Sequence, residues 1–556
     1  MEYSGAEIVI RMLERQGIET IAGIPGGTNL PIYDALQGSM ISHVLARHEQ
    51  GAGFIAQGMA RSTGKPAVCF ATSGPGVTNL ITAIADAHLD SVPVVAISGQ
   101  TPMSLMGTDA FQEVDTFGMS LPVTKHNFLV RSVEELLEVI PEAFRIAVSG
   151  RPGPVWVDIP KDVQTATLRV DAFPEAGARI AAASPEEEAL NAAAEMIDKA
   201  ERPVFYAGGG IVNSGAGAQV KALCERAGIP VVTTLMGLGV MPADSPMSLG
   251  MLGMHGSRST NLTLDKADLL IAAGVRFDDR ATGKLASFCP HAHIIHMDID
   301  GAEIDKLRSS DCSIKGDAGE ILSRLAPMVK PRDRKAWEES ITAMKTQYPT
   351  PESELDNAKP AALIRRVGHL ADSHAFVTTD VGQHQMWVAQ YYPHQQPGRL
   401  LTSGGLGTMG FGLPAAIGAA LANPDAPVIC FSGDGSIMMN IQELATLAEQ
   451  NLNVKIIILN NGALGLVRQQ QELFFGGRYI ASQYDRNPDI ATIAKGFGIR
   501  GHRLPLSACS DDELKAFLDS DGPALLDIAT PQAANVYPMV PPGAANTRMI
   551  EGEHHA

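Results

Sequence analysis

The sequence predicts an α/β protein built of three doubly wound parallel-sheet domains, and three observations carry that expectation. Continuous apolar β-type runs alternate with helix-patterned stretches along the chain, the pattern of strands buried on both faces by crossover helices. Two polar, proline-containing stretches, 166–187 and 330–359, break the alternation and leave three α/β segments, 1–165, 187–330 and 360–556. The length of 556 residues suits three or four domains of about 150 residues each.

Ser4 and Glu7 have the spacing of a capping box, so the first helix is expected to start almost at once. In the first segment, residues 43–45, 67–71, 92–98 and 155–159 read as strands and 77–89 as a helix. The second segment offers strands at 204–207, 269–273 and 294–298, and the polar stretch after it holds a tryptophan-containing helix candidate. In the third, apolar runs at 427–431 and 455–459 flank residues 437–448, which read as one helix, and an irregular tail begins at Tyr537.

The formal net charge of −18 argues against nucleic acid or an anionic membrane as partner, so an anionic substrate must meet local positive groups. Six cysteines are scattered without a C-x-x-C, which points to buried, reduced thiols in a cytoplasmic protein. No apolar run reaches about 18 residues and the first residues carry no basic targeting segment, so neither a membrane span nor export is expected.

Asp434 and Asn461 are the most telling pair. They lie in Gly433-Asp434-Gly435-Ser436 and Asn460-Asn461, 27 positions apart, each directly after an apolar strand-like run. A right-handed βαβ crossover puts both strand ends on one edge of a parallel sheet. A carboxylate and an amide oxygen then meet beside a helix N-terminus, whose free N–H groups suit a phosphate. Hard oxygen ligands with a diphosphate describe a magnesium or calcium site. A Gly-Asp-Gly alone is a common turn; the flanking strands and the Asn pair make it specific, and the whole resembles the motif of thiamine-diphosphate enzymes.

In the first segment Glu49 stands between a strand and an Ala/Gly-rich helix, where a carboxylate also simply complements the helix dipole. Gly23-Ile24-Pro25-Gly26-Gly27 and Ser73-Gly74-Pro75-Gly76 lie at other strand-to-helix junctions, the edge where open α/β sheets bind ligands. In the middle segment Gly208-Gly209-Gly210, residues 253–257 and residues 274–280 supply glycines and cations; this is a weak anion-binding signal, and Arg276 with Asp279 reads equally well as a structural ion pair. Residues 405–410 satisfy G-x-G-x-x-G, yet the run before them is a poor buried strand and no ribose-binding acid follows, which disfavours a nicotinamide site.

Over essentially the whole chain the sequence resembles the thiamine-diphosphate-dependent acetohydroxyacid (acetolactate) synthases, in their large catalytic subunit. The matching stretches include Gly26-Gly27, 47–52, 73–79, 107–113, 149–154, 158–163, 381–384, 402–412 and the Asp434/Asn461 pair, and the tail 537–546 is most like the bacterial isozyme I type. The resemblance implies three domains of the thiamine-diphosphate-enzyme type. It also implies decarboxylation of pyruvate and transfer of the two-carbon unit to a second 2-oxo acid, pyruvate or 2-oxobutyrate, the first step of branched-chain amino-acid synthesis.

The resemblance further implies roles for single residues. Glu49 hydrogen-bonds the pyrimidine ring of thiamine diphosphate, and a carboxylate is needed because it must share a proton as ring basicity changes. Met409 wedges the cofactor into a bent shape, a task for a side chain that fills irregular gaps. Asp434, Asn461 and the Ala463 carbonyl hold Mg2+; Val381, Gly382, Gln383 and His384 hold the diphosphate. Gly26, Gly27, Ser73, Gly74, Pro75, Asn79, Gly407, Gly433, Gly435 and Ser436 surround the cofactor. FAD, without net redox duty, falls to Arg151, Gly208, Gly209, Gly210, Gly253, Met254, His255, Gly274, Arg276, Asp278 and Arg280. Phe111, Gln112 and Lys161 line the substrate entrance.

Gln470 stands where many family members carry a tryptophan, which implies a weaker preference for 2-oxobutyrate. The family also implies a homodimer with active sites shared between chains, and a separate small regulatory subunit. Two rivals stay open: a pyruvate oxidase or simple 2-oxo acid decarboxylase, and a non-catalytic cofactor-binding homologue.

Overall fold

A computed structural model of the protein describes residues 1–349 and 356–552. Residues 350–355 of the second polar stretch and the last four of the tail lie outside the described residues. The strand β1 (Glu2–Ser4) leads at once into a helix, Gly5–Arg15. Its capping box is formed: Glu7 N donates to Ser4 Oγ at 3.2 Å and Ser4 N to Glu7 Oε2 at 2.7 Å.

The alternation becomes three six-stranded sheets, each parallel throughout. The first contains β2 (Thr20–Gly23), β3 (Ser42–Leu45), β4 (Ala67–Ala71), β5 (Val94–Gln100), β6 (His126–Leu129) and β7 (Val155–Pro160) in the order β3-β2-β4-β5-β7-β6. After β8 (Thr167–Arg169), which pairs antiparallel with β1, comes the second: β9 (Pro203–Ala207), β10 (Val231–Thr233), β11 (Ser248–Met251), β12 (Leu269–Ala273), β13 (His293–Asp298) and β14 (Cys312–Lys315), ordered β11-β10-β9-β12-β13-β14. The third holds β15 (Phe376–Thr379), β16 (Leu400–Leu401), β17 (Val428–Gly433), β18 (Val454–Asn460), β19 (Arg500–Pro505) and β20 (Ala524–Ala529), ordered β16-β15-β17-β18-β20-β19. Each sheet reverses its chain order in its interior, between β2 and β4, β9 and β12, and β15 and β17; the first and third also turn back at one edge, at β7-β6 and β20-β19. Chains leaving adjacent strands in opposite directions open a crevice at the interior reversal, the usual ligand site of such sheets.

The first and third segments share one apolar core that includes Phe54, Ile55, Phe411, Ile417, Leu444 and Ile456. Its centre is the crossing of helix Glu49–Thr63 with helix Gly412–Ala422. Gly58 lies on the Ala415 carbonyl and Gly418 on the Ile55 carbonyl, so neither position has room for a Cβ. Gly418→Ala is expected to lower the thermal unfolding midpoint: overpacking costs about 1–3 kcal/mol, against about 1 kcal/mol gained in helix propensity. An unchanged midpoint would mean that the crossing widens freely.

Several expectations need correction. Residues 437–448 are not one helix but the end of Asp434–Ile437 and most of Glu443–Glu449. The chain turns between them because Asn440 reaches out, donating from Nδ2 to the Gly410 carbonyl at 2.8 Å and to Gln50 Oε1 at 3.3 Å. The tryptophan-containing helix expected in the second polar stretch does form, and helix Lys335–Gln347 buries Trp337, Ile341 and Met344 in the central core, with Trp337 Nε1 donating to the Pro203 carbonyl at 3.1 Å. The first polar stretch carries β8. Residues 400–401, discounted as a poor strand, do form β16, two residues long at the sheet edge. All six cysteines are free and buried, and among the described residues no helix is long and apolar enough to cross a membrane.

Candidate active site

The third sheet's reversal gathers three helix starts. Helix Gln383–Tyr391 begins at Gly382 after β15, helix Asp434–Ile437 at Gly433 after β17, and helix Gly465–Phe474 shortly after β18; none has a side-chain cap on its first turn. Their free N–H groups belong to one neighbourhood. Ser436 Oγ donates to the Val381 carbonyl at 2.7 Å and Asn461 Nδ2 to Gln383 Oε1 at 3.1 Å. Gly382 has φ 154°, and a Cβ there would press on the His384 ring, which also lies against Gly433. Burial holds His384 neutral, its pKa lowered to about 3, and its Nε2 is buried with no partner. Such an orphan in a cradle of amides is what a phosphate-bearing ligand would satisfy.

Asp434 and Asn461 do meet. Asp434 Oδ1 accepts from Asn461 N at 3.4 Å, and Oδ2 from Gly462 N at 3.0 Å and Asn487 Nδ2 at 2.7 Å. Burial raises the Asp434 pKa to about 6, against the pull of those bonds. Asn461 Oδ1 accepts from Ala463 N at 3.1 Å, and Ala463 is braced by a bridge to Gln483. Among the described residues no three His, Cys, Asp or Glu side chains converge as a metal cluster. A cation here would therefore depend on amide and carbonyl oxygens beside one carboxylate, a set that suits hard ions retaining other oxygen ligands.

In the first segment Glu49 opens helix Glu49–Thr63 and is buried, with Asn79 Nδ2 donating to its Oε2 at 3.0 Å. Gly76 lies beside its other oxygen. At the reversal between β2 and β4, Gly26 packs on Thr72, while Gly27 faces open space. Ser73 N donates to Thr28 Oγ1 at 3.0 Å, and Ser73 Oγ is buried without a partner. Gly74, at φ 59°, carries Gln112 against it, and Pro75 starts helix Pro75–Leu89. Phe111 is 87% exposed, and Lys161 is half-buried at the start of helix Lys161–Thr165.

Glu49, Asn79 and the glycine turns thus form one group, and Asp434, Asn461 and His384 another. Within this chain the bonds between the groups run through neighbours: Glu443 Oε1 accepts from Arg47 N and His48 N, both at 3.0 Å.

The central sheet's reversal opens on a cavity of about 640 Å³ lined by Gly209, Gly210, Met254, His255, Gly274, Arg276, Asp278, Arg280 and Arg151, with Gly407 and Gln470 reaching it from the third segment. Gly208 and Gly253 sit just behind it, pressed on the backbones of Gly274 and Arg280. Asp279 approaches Arg280, at 3.6 Å, so the alternative pairing of Asp279 with Arg276 is not formed. Arg151 instead holds Glu303 Oε1 at 2.8 Å, and Asp278 caps helix Asp279–Thr282. His255, its pKa lowered by burial to about 4, donates from Nδ1 to the Pro538 carbonyl at 3.2 Å.

Models of thiamine pyrophosphate enzymes match the chain in three places: the N-terminal TPP binding domain over residues 3–119, the central domain over 190–325 and the C-terminal TPP binding domain over 380–528. The chain is 55% identical to the acetolactate synthase isozyme 1 large subunit of Escherichia coli (strain K12), over 99% of this chain and 98% of that one. The chain belongs to the acetolactate synthase large-subunit family. It is also 47% identical to the isozyme 2 large subunit of the same organism, over 99% of both chains, and 44% identical to the chloroplastic acetolactate synthase of Arabidopsis thaliana, over 99% of this chain and 85% of that one.

For this acetolactate synthase family member the structure adds residues that sequence reasoning missed. Asp380, fully buried after β15 with its pKa raised by burial to about 6, accepts from Gly410 N at 2.6 Å and Ser432 Oγ at 2.8 Å. The strand-end logic that found Asp434 applies to it equally. Asn487 links Asp434 to Asn460 Oδ1, at 2.9 Å, from a loop with no pattern to reveal it. Three amides of the G-x-G-x-x-G loop are engaged within the protein, Gly405 N on Asp90 at 2.7 Å, Thr408 N on Ser403 Oγ at 2.8 Å and Gly410 N on Asp380 at 2.6 Å, which weighs further against a nucleotide there.

Proposed function

We propose that the chain is the catalytic subunit of an acetolactate synthase. It decarboxylates pyruvate on thiamine diphosphate and passes the two-carbon unit to pyruvate or 2-oxobutyrate, opening branched-chain amino-acid synthesis. The observation that carries this reading is the Asp434–Asn461 pair meeting under three uncapped helix starts, in a chain alike over 99% of its length to an acetolactate synthase large subunit. Segments 1–165, 187–330 and 360–556 are taken as its pyrimidine-side, flavin-side and diphosphate-side units.

Thiamine diphosphate supplies the electron sink and the reacting carbon when bound; the chain supplies grip, orientation and proton control. Asp434, Asn461 and the Ala463 carbonyl would hold Mg2+, and His384 with the amides near Gly382 and Gly433 the diphosphate. Glu49, oriented by Asn79, would share a proton with the pyrimidine ring nitrogen. Met409, half-buried between Thr408 and Gly410, would press on the cofactor. FAD would occupy the central cavity, whose volume lies within the usual range for small-molecule sites, with Arg276 and Arg280 toward its phosphates. Gln112, Phe111 and Lys161 would meet the 2-oxo acid at the entrance, Lys161 supplying a local positive charge for its carboxylate.

Acetolactate formed from pyruvate only with thiamine diphosphate and Mg2+ is the expected result; carbon dioxide without acetolactate would select a decarboxylase or oxidase instead. The active unit is proposed to be a homodimer in which Glu49 of one chain serves Asp434 of the other, joined by a separate small regulatory subunit as the relatives' description as large subunits suggests. Mixing inactive Glu49→Gln and Asp434→Asn chains should then restore part of the activity. No recovery despite demonstrated subunit exchange would exclude shared sites.

Gln470 borders the cavity, and one methylene of substrate is worth only about 1–3 kcal/mol of discrimination. In competition assays Gln470→Trp should raise the fraction of product made from 2-oxobutyrate, and an unchanged ratio would refute that role.

A further inference from the structure

Helix Pro75–Leu89 ends in two carboxylates that the chemistry above does not use. Arg61 Nη2 lies 3.2 Å from Asp86 Oδ2 and 2.9 Å from Asp90 Oδ2, and the three side chains are 8%, 0% and 1% exposed. One guanidinium thus faces two buried acids, and it is further held by Gln57 Oε1 at 2.8 Å and the Thr402 carbonyl at 3.1 Å. The remaining negative charge is met by four donors from one loop of the third segment. Ser403 Oγ donates to Asp86 Oδ1, joined there by Thr408 Oγ1 at 3.0 Å. Gly404 N and Gly405 N donate to the two oxygens of Asp90, and Thr408 N closes the loop on Ser403 Oγ at 2.8 Å.

Met409 is the next residue. On its far side Gly410 N donates to Asp380 and the Gly410 carbonyl accepts from Asn440. Met409 is therefore suspended between an anchor on the first segment and an anchor on the third.

We propose that Arg61, Asp86 and Asp90 are positioning residues that tether loop 403–408 to the first segment and so set where Met409 stands. This rests on the cofactor-bending role given to Met409 above. Two acids sharing one buried cation are a costly way to fill space, since apolar packing of the same volume is as stable or more so. The neighbouring helix crossing is packed in just that apolar way. What the acids add is direction: charge-assisted bonds to specific amides and hydroxyls that admit one loop conformation.

Two full-length variants test it, Asp86→Asn and the milder Thr408→Val, which removes a single hydroxyl. Amide hydrogen exchange is read on the cofactor-free protein, and kcat and KM for acetolactate formation on the loaded enzyme. We expect exchange within residues 403–410 to quicken about tenfold, as for one lost charge-assisted hydrogen bond, while β15, β17 and helix Glu49–Thr63 keep their rates. The kcat should fall about tenfold with KM little changed, the mark of an interaction that serves the reacting state. Unchanged exchange in 403–410, a uniform rise across the molecule in both variants, or a loosened loop with parental kcat would each overturn the proposal. If the parent made no acetolactate while both variants still loosened the loop, the tether would stand and the proposed function would fall.

Discussion

Glu49→Gln should leave a folded protein whose acetolactate turnover is about 10²–10⁴ times slower, the span that one positioned acid–base group contributes. The substitution is a clean one here. Glutamine keeps a side-chain oxygen for Asn79, which donates to Glu49 Oε2 at 3.0 Å, and it keeps the volume of a buried position. What it removes is the capacity to share a proton with a ring nitrogen. The competing explanation, a carboxylate that only complements its helix, predicts a different outcome, because a first-turn charge is worth about 0.3–1 kcal/mol of stability and nothing in rate. Steady-state turnover together with a thermal unfolding midpoint separates the two. Parental kcat with a lowered midpoint would leave Glu49 a helix residue and nothing more.

The second large effect concerns Asp434. Asp434→Asn should weaken Mg2+-dependent uptake of thiamine diphosphate by at least about a hundredfold, since even outer-shell partners of a metal ligand cost about 10–100-fold. Asparagine is preferred to alanine for this measurement. Alanine would strand three donors, from Asn461, Gly462 and Asn487, each costing about 1–3 kcal/mol when buried and unpaired, and loss of fold would mask loss of metal. Titration calorimetry with and without a chelator gives the answer. Cofactor affinity that is the same in parent and variant, and indifferent to chelator, would remove the metal from this site.

Much of the fold was legible because it is written in local periods. The apolar runs that became β4, β12 and β18 announced themselves by composition, and Ser4 with Glu7 marked a helix start that the structure forms. The convergence of Asp434 and Asn461 was also legible, since the hand of a βαβ crossover leaves one place for two successive strand ends. Other features left no local trace. The turn at Asn440 that splits an apparent helix exists because of a bond to Gly410. The tryptophan-containing helix of the second polar stretch was legible, but that it buries Trp337 depends on the central core being there to receive it.

The sequence alone determined the three α/β layers, the strand ends at which glycine loops must lie, and the meeting of one carboxylate with one amide across a single crossover. All of these follow from spacing within a few turns of chain. The tertiary structure decided which surfaces of the first and third segments face each other, through glycines at Gly58 and Gly418, and that Asp86 and Asp90 would close on a loop more than 300 positions away. No pattern within a segment encodes such a pairing. It is chosen when buried charges, once brought out of water, must find their partners on whatever backbone the packed helices bring near.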